Sequence, residues 1–400
     1  MADKIIIGPR KKIAYVCSGG AAKAAAFHMG ASLALQEKGF HFIGGLKKES
    51  KIKRAPHKWG INTYVGSSAG SVISCYLAAG YTVEQIFKAY LGKSKEKSPL
   101  KPISYGHLIS VKASQHEDKS SFTKKLRGLT SNALDLLYRR QRLLSMSGLF
   151  TTAGIESYMR ESVLPSNNFK DYVADLHVVA TQLNHSKRII FNKYILPSPP
   201  DDPGCIYDNT VNISDAVAAS TALPPIFSPY AIRNHNGKII YFFDGEIRET
   251  LSMNAAEDAG ADLIIASHTH QPYHFSREIG SLTKFGLPSI CIQAIYLLIE
   301  RKIQTARYER QQSKAALDAV REYCIEQGIS DIQRKRICGI LEEKLAVKSD
   351  THYIYIHPRP HDHEMFFGEH FNFSEKFMEK IVRIGFMSTI DALRRYEFRD

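Results

Sequence analysis

The octet Val65-Gly66-Ser67-Ser68-Ala69-Gly70-Ser71-Val72 limits this chain's fold more than any other stretch. It follows Ile61–Val65, a β-branched and aromatic run that reads as a strand. It precedes Val72–Leu77, an apolar run that reads as a helix. Glycine, serine and glycine at G-x-S-x-G spacing in a strand–turn–helix setting describe a nucleophile elbow. The spacing puts Ser68, not Ser67, at the apex, with Gly66 and Gly70 where the turn has no room for side chains. A hydroxyl held at a helix N-terminus sits where developing negative charge is favoured. The same octet also describes a small-residue turn that packs a helix closely on a strand, and the five-residue pattern alone leaves both readings open.

The rest of the chain sets this turn in an α/β frame. Strands are expected at 13–17, 61–65, 176–180, 188–192, 239–243, 263–266 and 353–356. Helices are expected at 22–38, 69–79, 82–91, 132–145, 155–162, 214–219, 252–259, 296–326, 331–346, 374–384 and 389–396. Such alternation implies a largely parallel sheet covered on both faces. Two further turns carry chemistry. Cys17-Ser18-Gly19-Gly20-Ala21-Ala22-Lys23 joins the first strand to the first helix and can present backbone N–H groups to an anion. A Rossmann fingerprint does not fit, because Ala21 and Ala24 stand where it needs glycine, and no P-loop G-K-[ST] follows. With an elbow downstream, an oxyanion hole is the better reading. The third turn is Asp244-Gly245-Glu246, directly after the apolar strand 239–243. Asp244 there takes the Ser68 proton directly, orients a histidine, or simply caps a turn.

These three elements, in this order, resemble the patatin-like phospholipase family. Leu176–Leu183 and Ala218–Phe227 match as well, and the similarity runs from about residue 12 to 270. The resemblance implies a three-layer α/β/α sandwich with a largely parallel central sheet, plus C-terminal helices. It implies a serine lipid acyl hydrolase of phospholipase A type, with Ser68 as nucleophile and Asp244 as base. Gly19, Gly20, Ala21 and Ala22 would form the oxyanion hole, with no metal and no cofactor. Two departures stand out. Alanine occupies positions 21 and 24, where the family favours glycine, and an alanine held at positive φ costs about 1 kcal/mol or more. Glu246 stands where the family prefers Gly or Ala, and an inward-pointing carboxylate there would raise the pKa of Asp244.

The chain has 400 residues and a net charge of +13. Residues 47–58 carry six Lys/Arg against one Glu, and residues 93–127 carry nine against three acids, so +11 of the charge lies in two stretches. The second, rich in Ser, Pro and Gly, reads as a long functional loop. An anionic membrane surface is the expected partner beside the phospholipid or other acyl-ester substrate. An activator or effector is left open. No nucleic-acid partner is expected, because no RRM, KH or zinc-finger signature accompanies the charge. Six scattered cysteines without a C-x-x-C pair suggest a reducing compartment. The start of the chain has no long apolar segment, and Cys291–Ile299 is about half a membrane span. A cytoplasmic protein peripheral to membranes, without a Sec signal or transmembrane segment, is therefore expected. Residues 1–290 are expected to form the catalytic domain, with a basic insertion at 93–130, and 291–400 a mainly helical extension packed on it. Arg301, Lys302, Arg307, Glu309, Arg310 and Lys314 lie along one helix, read as an ordinary amphipathic one.

Rival readings remain. His268 or His270, just after the strand 263–266, would complete a Ser–His–Asp esterase. The histidines at 268, 270 and 274, and at 357, 361 and 363, lack metal-site spacing. A scaffold that binds lipid or a partner without turnover would carry the same fold.

Overall fold

A computed structural model of the chain describes residues 4–49, 58–91, 100–101, 107, 110–111, 150–199, 202–234, 236–345, 347–348, 350–369 and 371–399. Residues 50–57 of the first basic stretch, most of the second and of the expected insertion at 93–130, and the helix expected at 132–145 lie outside the described residues. In chain order the elements are β1 (Ile5–Ile7), β2 (Ile13–Cys17), α1 (Ala21–Glu37), β3 (His41–Phe42), β4 (Gly60–Ser67), α2 (Ala69–Ala78) and α3 (Val83–Tyr90). Then come β5 (Ser110–Val111), β6 (Phe150–Thr151), α4 (Ala153–Tyr158), β7 (Asp175–Gln182), β8 (Lys187–Phe191) and β9 (Cys205–Asp208). They continue with α5 (Ile213–Ser220), β10 (Tyr230–Arg233), β11 (Ile239–Asp244), α6 (Met253–Asp258), β12 (Leu263–Ser267) and α7 (Gly286–Glu326). The chain closes with α8 (Asp331–Lys344), β13 (His352–Ile356), α9 (Glu364–Phe367), α10 (Glu375–Leu393) and β14 (Tyr396–Phe398).

The central sheet has the order β10-β11-β7-β4-β2-β12-β13. Its middle, from β7 to β13, is parallel; β10, β11 and β8 add antiparallel pairs. All five residues of β2 are buried, as a strand covered on both faces requires. Its side chains alternate between two cores. Ile13, Tyr15 and Cys17 join the core packed by α1, α2 and α10. Ala14 and Val16 join a second, with Met253 and Ala256 of α6 and Ile303 of α7. Two helical layers thus sandwich the sheet.

The C-terminal region differs from expectation in three ways. First, Glu375–Leu393 is one helix, not two. Its Gly385 does not break it: a Cβ there would collide with the Phe27 carbonyl, and one on Gly30 would collide with the Val382 carbonyl. The two glycines let α1 and α10 touch backbone to backbone. Second, Tyr396–Phe398 forms a strand, so the helix expected at 389–396 stops short of it. β13 extends the central sheet beside β12, β14 pairs with β1, and the 290/291 boundary falls inside α7.

Third, the apolar segment is longer than half a span. The helical stretch Leu282–Glu326 contains an 18-residue window of mean hydropathy 1.6, long and apolar enough by length and composition to cross a membrane. It nevertheless lies along the domain. Tyr296 packs on Phe366, Ile303 enters the second core, and Arg310 pairs with Glu257 at 3.2 Å. The opposite side of its first half is apolar and bare, with Leu287 71% and Leu298 67% exposed.

Candidate active site

The turn from β4 to α2 holds Ser68 at φ 51 and ψ −126, a left-handed backbone that a non-glycine residue adopts only when its surroundings impose it. The surroundings do impose it. A Cβ on Gly66 would overlap the Gly70 carbonyl, and one on Gly70 the Cys17 carbonyl, so the turn closes only with glycine at both places. The Ser68 N–H donates to Ser220 Oγ at 2.9 Å, and Ser220 Oγ donates to the Val179 carbonyl at 2.6 Å. Ser71 donates to the Ser68 carbonyl from its N–H at 2.9 Å and its Oγ at 2.6 Å.

Strand register brings the acid to the serine. Ser67 is level with Val179 of β7, and Ala180, the next residue, is level with Asp244 of β11. Ser68 and Asp244 are therefore two strand spacings apart, about 10 Å between backbones, a gap their side chains close. The Ser68 side chain is near enough to the Asp244 carboxylate to favour its charge. Asp244 is 1% exposed, and burial pushes its pKa up to about 6, against the opposing pull of Ser68 and of the Glu246 N–H, which donates to Asp244 Oδ1 at 2.9 Å.

Glu246 points inward. Burial, with the charge of Asp244 behind it, holds its carboxyl well above the usual range. The Gly19 amide and the Ser67 hydroxyl are the polar groups that favour its charge, without completing a hydrogen bond to it.

The glycine loop is tied at several points. Ser18 N–H donates to the Ser267 carbonyl at 3.0 Å, and Thr269 Oγ1 donates to the Gly19 carbonyl at 2.8 Å. His28 Nε2 lies 2.9 Å from the Ser18 carbonyl and Nδ1 2.8 Å from Ser267 Oγ. A carbonyl only accepts, so Nε2 carries the proton. Burial drives the His28 pKa down to about 4, so the ring is neutral and Nδ1 accepts from Ser267. Beyond Gly20, Ala21 adopts φ 57, the positive value that makes alanine costly. Ala21 and Ala22 open α1, where the first N–H groups have no intrahelical acceptor. Both line one slot with Ser68; Gly19 and Gly20 are not among its walls, although a Cβ on Gly19 would meet the Ser68 side chain.

That slot is apolar: Val72, Tyr90, Ile155, Leu223, Phe227 and Phe371 are among its walls. Its volume is about 60 Å³. Pockets that enclose drug-sized ligands run to about 300–1,000 Å³, so an acyl chain must displace side chains to enter. Lys23, buried in α1, holds the segment leading to Phe371. Its Nζ donates to the Met365 carbonyl at 2.7 Å and the Gly368 carbonyl at 3.3 Å, and burial lowers its pKa to about 7.

The structure does not bring His268 to Asp244. Four strand spacings separate β12 from β11, roughly 19 Å. The His268 ring faces His357 at 5.2 Å, and burial holds its pKa well below the usual value. His270 packs edge-on against Tyr296. Among the described residues no three His, Cys, Asp or Glu side chains group as metal ligands would. Sequence reasoning gave no role to Ser220, Thr269, His28 or Lys23. Ser220, Lys23 and Thr269 lay in stretches quoted for other residues of the site or its rival, and His28 sits in the first helix without any local signal.

Compared with known families, residues 15–256 match the model described as patatin-like phospholipase, more than half of the chain. No curated protein matches it.

Proposed function

The chain belongs to the patatin-like phospholipase family of lipid acyl hydrolases, and we propose that it cleaves carboxylic esters of membrane phospholipids through a Ser68–Asp244 dyad. The observation that carries this reading is the buried Asp244 carboxylate facing the Ser68 hydroxyl, with its pKa near 6. A base with that pKa is ionised at neutral pH yet basic enough to take a proton. Ser68 Oγ attacks the ester carbonyl carbon as its proton passes to Asp244. The Ala21 and Ala22 amides, and Gly20 with them, receive the negative oxygen at the start of α1. The tetrahedral intermediate expels the alcohol or lysolipid, which takes the proton back from Asp244. Water then attacks the acyl-enzyme with Asp244 again as base, and the fatty acid leaves. The Ala21–Phe371 slot takes the acyl chain.

Contact with a lipid surface is part of the same proposal. Leu287, Ile290, Ile295 and Leu298 form an outward stripe at helical spacing, and no charge stands between Lys284 and Glu300. The stripe adjoins the active site: Phe285 packs on Phe367 and Tyr296 on Phe366, and the chain runs from there to Phe371 at the slot. A helix lying flat in the interface with this side down would hold the slot against the bilayer.

The test is fatty-acid release from phospholipid vesicles, with fluorophosphonate labelling of Ser68 in parallel. Wild type should release and label; Ser68→Ala should do neither. A labelled but inactive wild type would overturn the phospholipid substrate, and an active Ser68→Ala would overturn the nucleophile. For the surface, Leu287→Glu/Leu298→Glu should lose co-sedimentation with vesicles while still hydrolysing a soluble short-chain ester. Unchanged vesicle binding would overturn that part, as would a wild-type dimer that falls apart in the double variant.

A further inference from the structure

The largest cavity among the described pockets is not the Ser68 slot. A cleft of about 460 Å³ lies at the sheet edge, between β13, the second half of α7 and α10. It shares no lining residue with the slot. Its walls carry Arg307, Arg310, Lys314, Lys348, Arg359 and Arg395, and a single carboxylate, Asp391.

These cations are not all neutralised by the protein. Arg310 pairs with Glu257 at 3.2 Å, and Arg359 with Asp362 at 3.2 Å and Asp391 at 3.5 Å. Lys348 Nζ bonds the Glu257 carbonyl. Among the described residues no carboxylate pairs with Arg307, Lys314 or Arg395. Burial, with Arg10 and Lys314 beside it, holds His352 in the cleft wall down to about 4, so it stays neutral.

The guanidiniums are also held in place. Arg307 lies over the Tyr355 ring at 5.0 Å and Arg310 over Tyr353 at 5.6 Å. Both tyrosines come from β13 at alternate positions, so the strand fixes their spacing. Stacking on a ring leaves the N–H edge of a guanidinium free to donate and lowers the entropy lost on binding. Planar forks and point charges converging on one concave volume are what phosphate recognition uses. A lone phosphate would leave most of this volume empty, so the shape calls for a larger molecule.

We propose that this cleft is a binding site for a multiply charged, phosphate-bearing ligand larger than phosphate itself, held by Arg307, Lys314 and Arg395. The site is independent of the reaction at Ser68. The ligand is either a soluble phosphate ester or the headgroup of a polyphosphorylated lipid.

Isothermal titration calorimetry with inorganic pyrophosphate and with ATP tests the soluble source. Co-sedimentation with phosphatidylcholine vesicles, with and without phosphatidylinositol 4,5-bisphosphate, tests the headgroup. The variant is Arg307→Gln/Lys314→Gln, with its thermal midpoint measured to show that it folds. At least one probe should bind wild type, ATP more tightly than pyrophosphate, and at least tenfold more weakly to the variant. Affinity should also fall with added salt, as charge contacts require. Binding in the vesicle arm alone assigns the lipid source. No binding in any arm, or binding unchanged in a folded variant, overturns the proposal. Arg307→Lys should recover only part of the loss, because an ammonium lacks the planar fork.

Discussion

Around Ser68 tight turns of glycine and alanine, closed over by apolar side chains such as Val72, Leu223 and Phe227, leave about 60 Å³. Around Arg307 the opposite holds: long cationic side chains line about 460 Å³ at the edge of the sheet. The first region is made by the backbone, through turns that only certain residues permit. The second is made by side chains projecting from regular elements that would form without them. The difference sets how each region tolerates change. A methyl group in the first collides with backbone, whereas a charge removed from the second leaves the fold as it was.

The largest expected effect separates the two. Ser68→Ala should lower ester hydrolysis by on the order of 10⁴-fold or more, as loss of a serine nucleophile does. Arg307→Gln/Lys314→Gln should leave soluble-ester turnover within about twofold. Equal losses in the two variants would mean that the regions are not separate, and the contrast would fail.

Asp244→Asn comes next, at about 10³–10⁴-fold in kcat. Its stability should move the other way. The folded pKa of Asp244 lies above the model-peptide carboxylate value, so the folded state holds more protons between about pH 4 and pH 6. Stability from this group is therefore present below that window and lost as pH rises through it. Asparagine removes the buried charge, so the variant should melt about a few degrees higher than wild type at pH 7. A lower midpoint would mean that the carboxylate is better satisfied than its burial implies. The same pKa sets the rate profile: kcat/KM should rise with pH and level off above about pH 6, falling about tenfold per unit below it. Flat activity down to pH 4 would remove Asp244 as the base.

Glu246→Gln is a smaller test of the same carboxyl pair. Because burial holds the Glu246 carboxyl well above the usual range, glutamine changes little beyond the titrating group, and kcat should stay within about threefold. A rate profile shifted toward lower pH would show that Glu246 is charged in part of the range.

The backbone-made region was the legible one. Glycine at 66 and 70, a serine between them and an acid after an apolar strand are local signals, because the turn that needs them is local. Asp244 reads as one end of a strand; that it meets Ser68 depends on the β4–β7–β11 order, which no short stretch encodes. The ties on the glycine loop were not legible. His28 and Thr269 bond Ser18 and Gly19 across 10 and 250 positions. The basic cleft was not legible either. Its cations come from α7, from the residues flanking β13 and from the end of α10, and each alone looks like solvated charge. The helix 296–326 read as amphipathic in the ordinary sense, yet its first half turns an apolar side outward because Ile303 and Arg310 fix the other side to the domain. The helices expected at 374–384 and 389–396 are one because α10 packs backbone to backbone on α1, at Gly385 against Phe27, a contact remote in sequence.

Ala21 is where the backbone-made region departs from its own rule, and it gives the smallest effect. At φ 57 the alanine methyl crowds its own carbonyl, a cost of about 1–2 kcal/mol that glycine avoids. Glycine loses more chain entropy on folding, which returns part of that difference. Ala21→Gly should therefore stabilise the protein by about 1 kcal/mol, read as a shift in denaturant midpoint at unchanged slope. The amide at position 21 is retained, so the oxyanion donor is too, and hydrolysis should hold within about twofold. A destabilised variant would show instead that the methyl, which lines the slot beside Ser68 and Ala22, contributes more by packing than it costs in strain. A stabilised variant with a much lower rate would show that the strained alanine fixes the direction of its own N–H, and that rigidity at this turn is part of how the oxyanion is held.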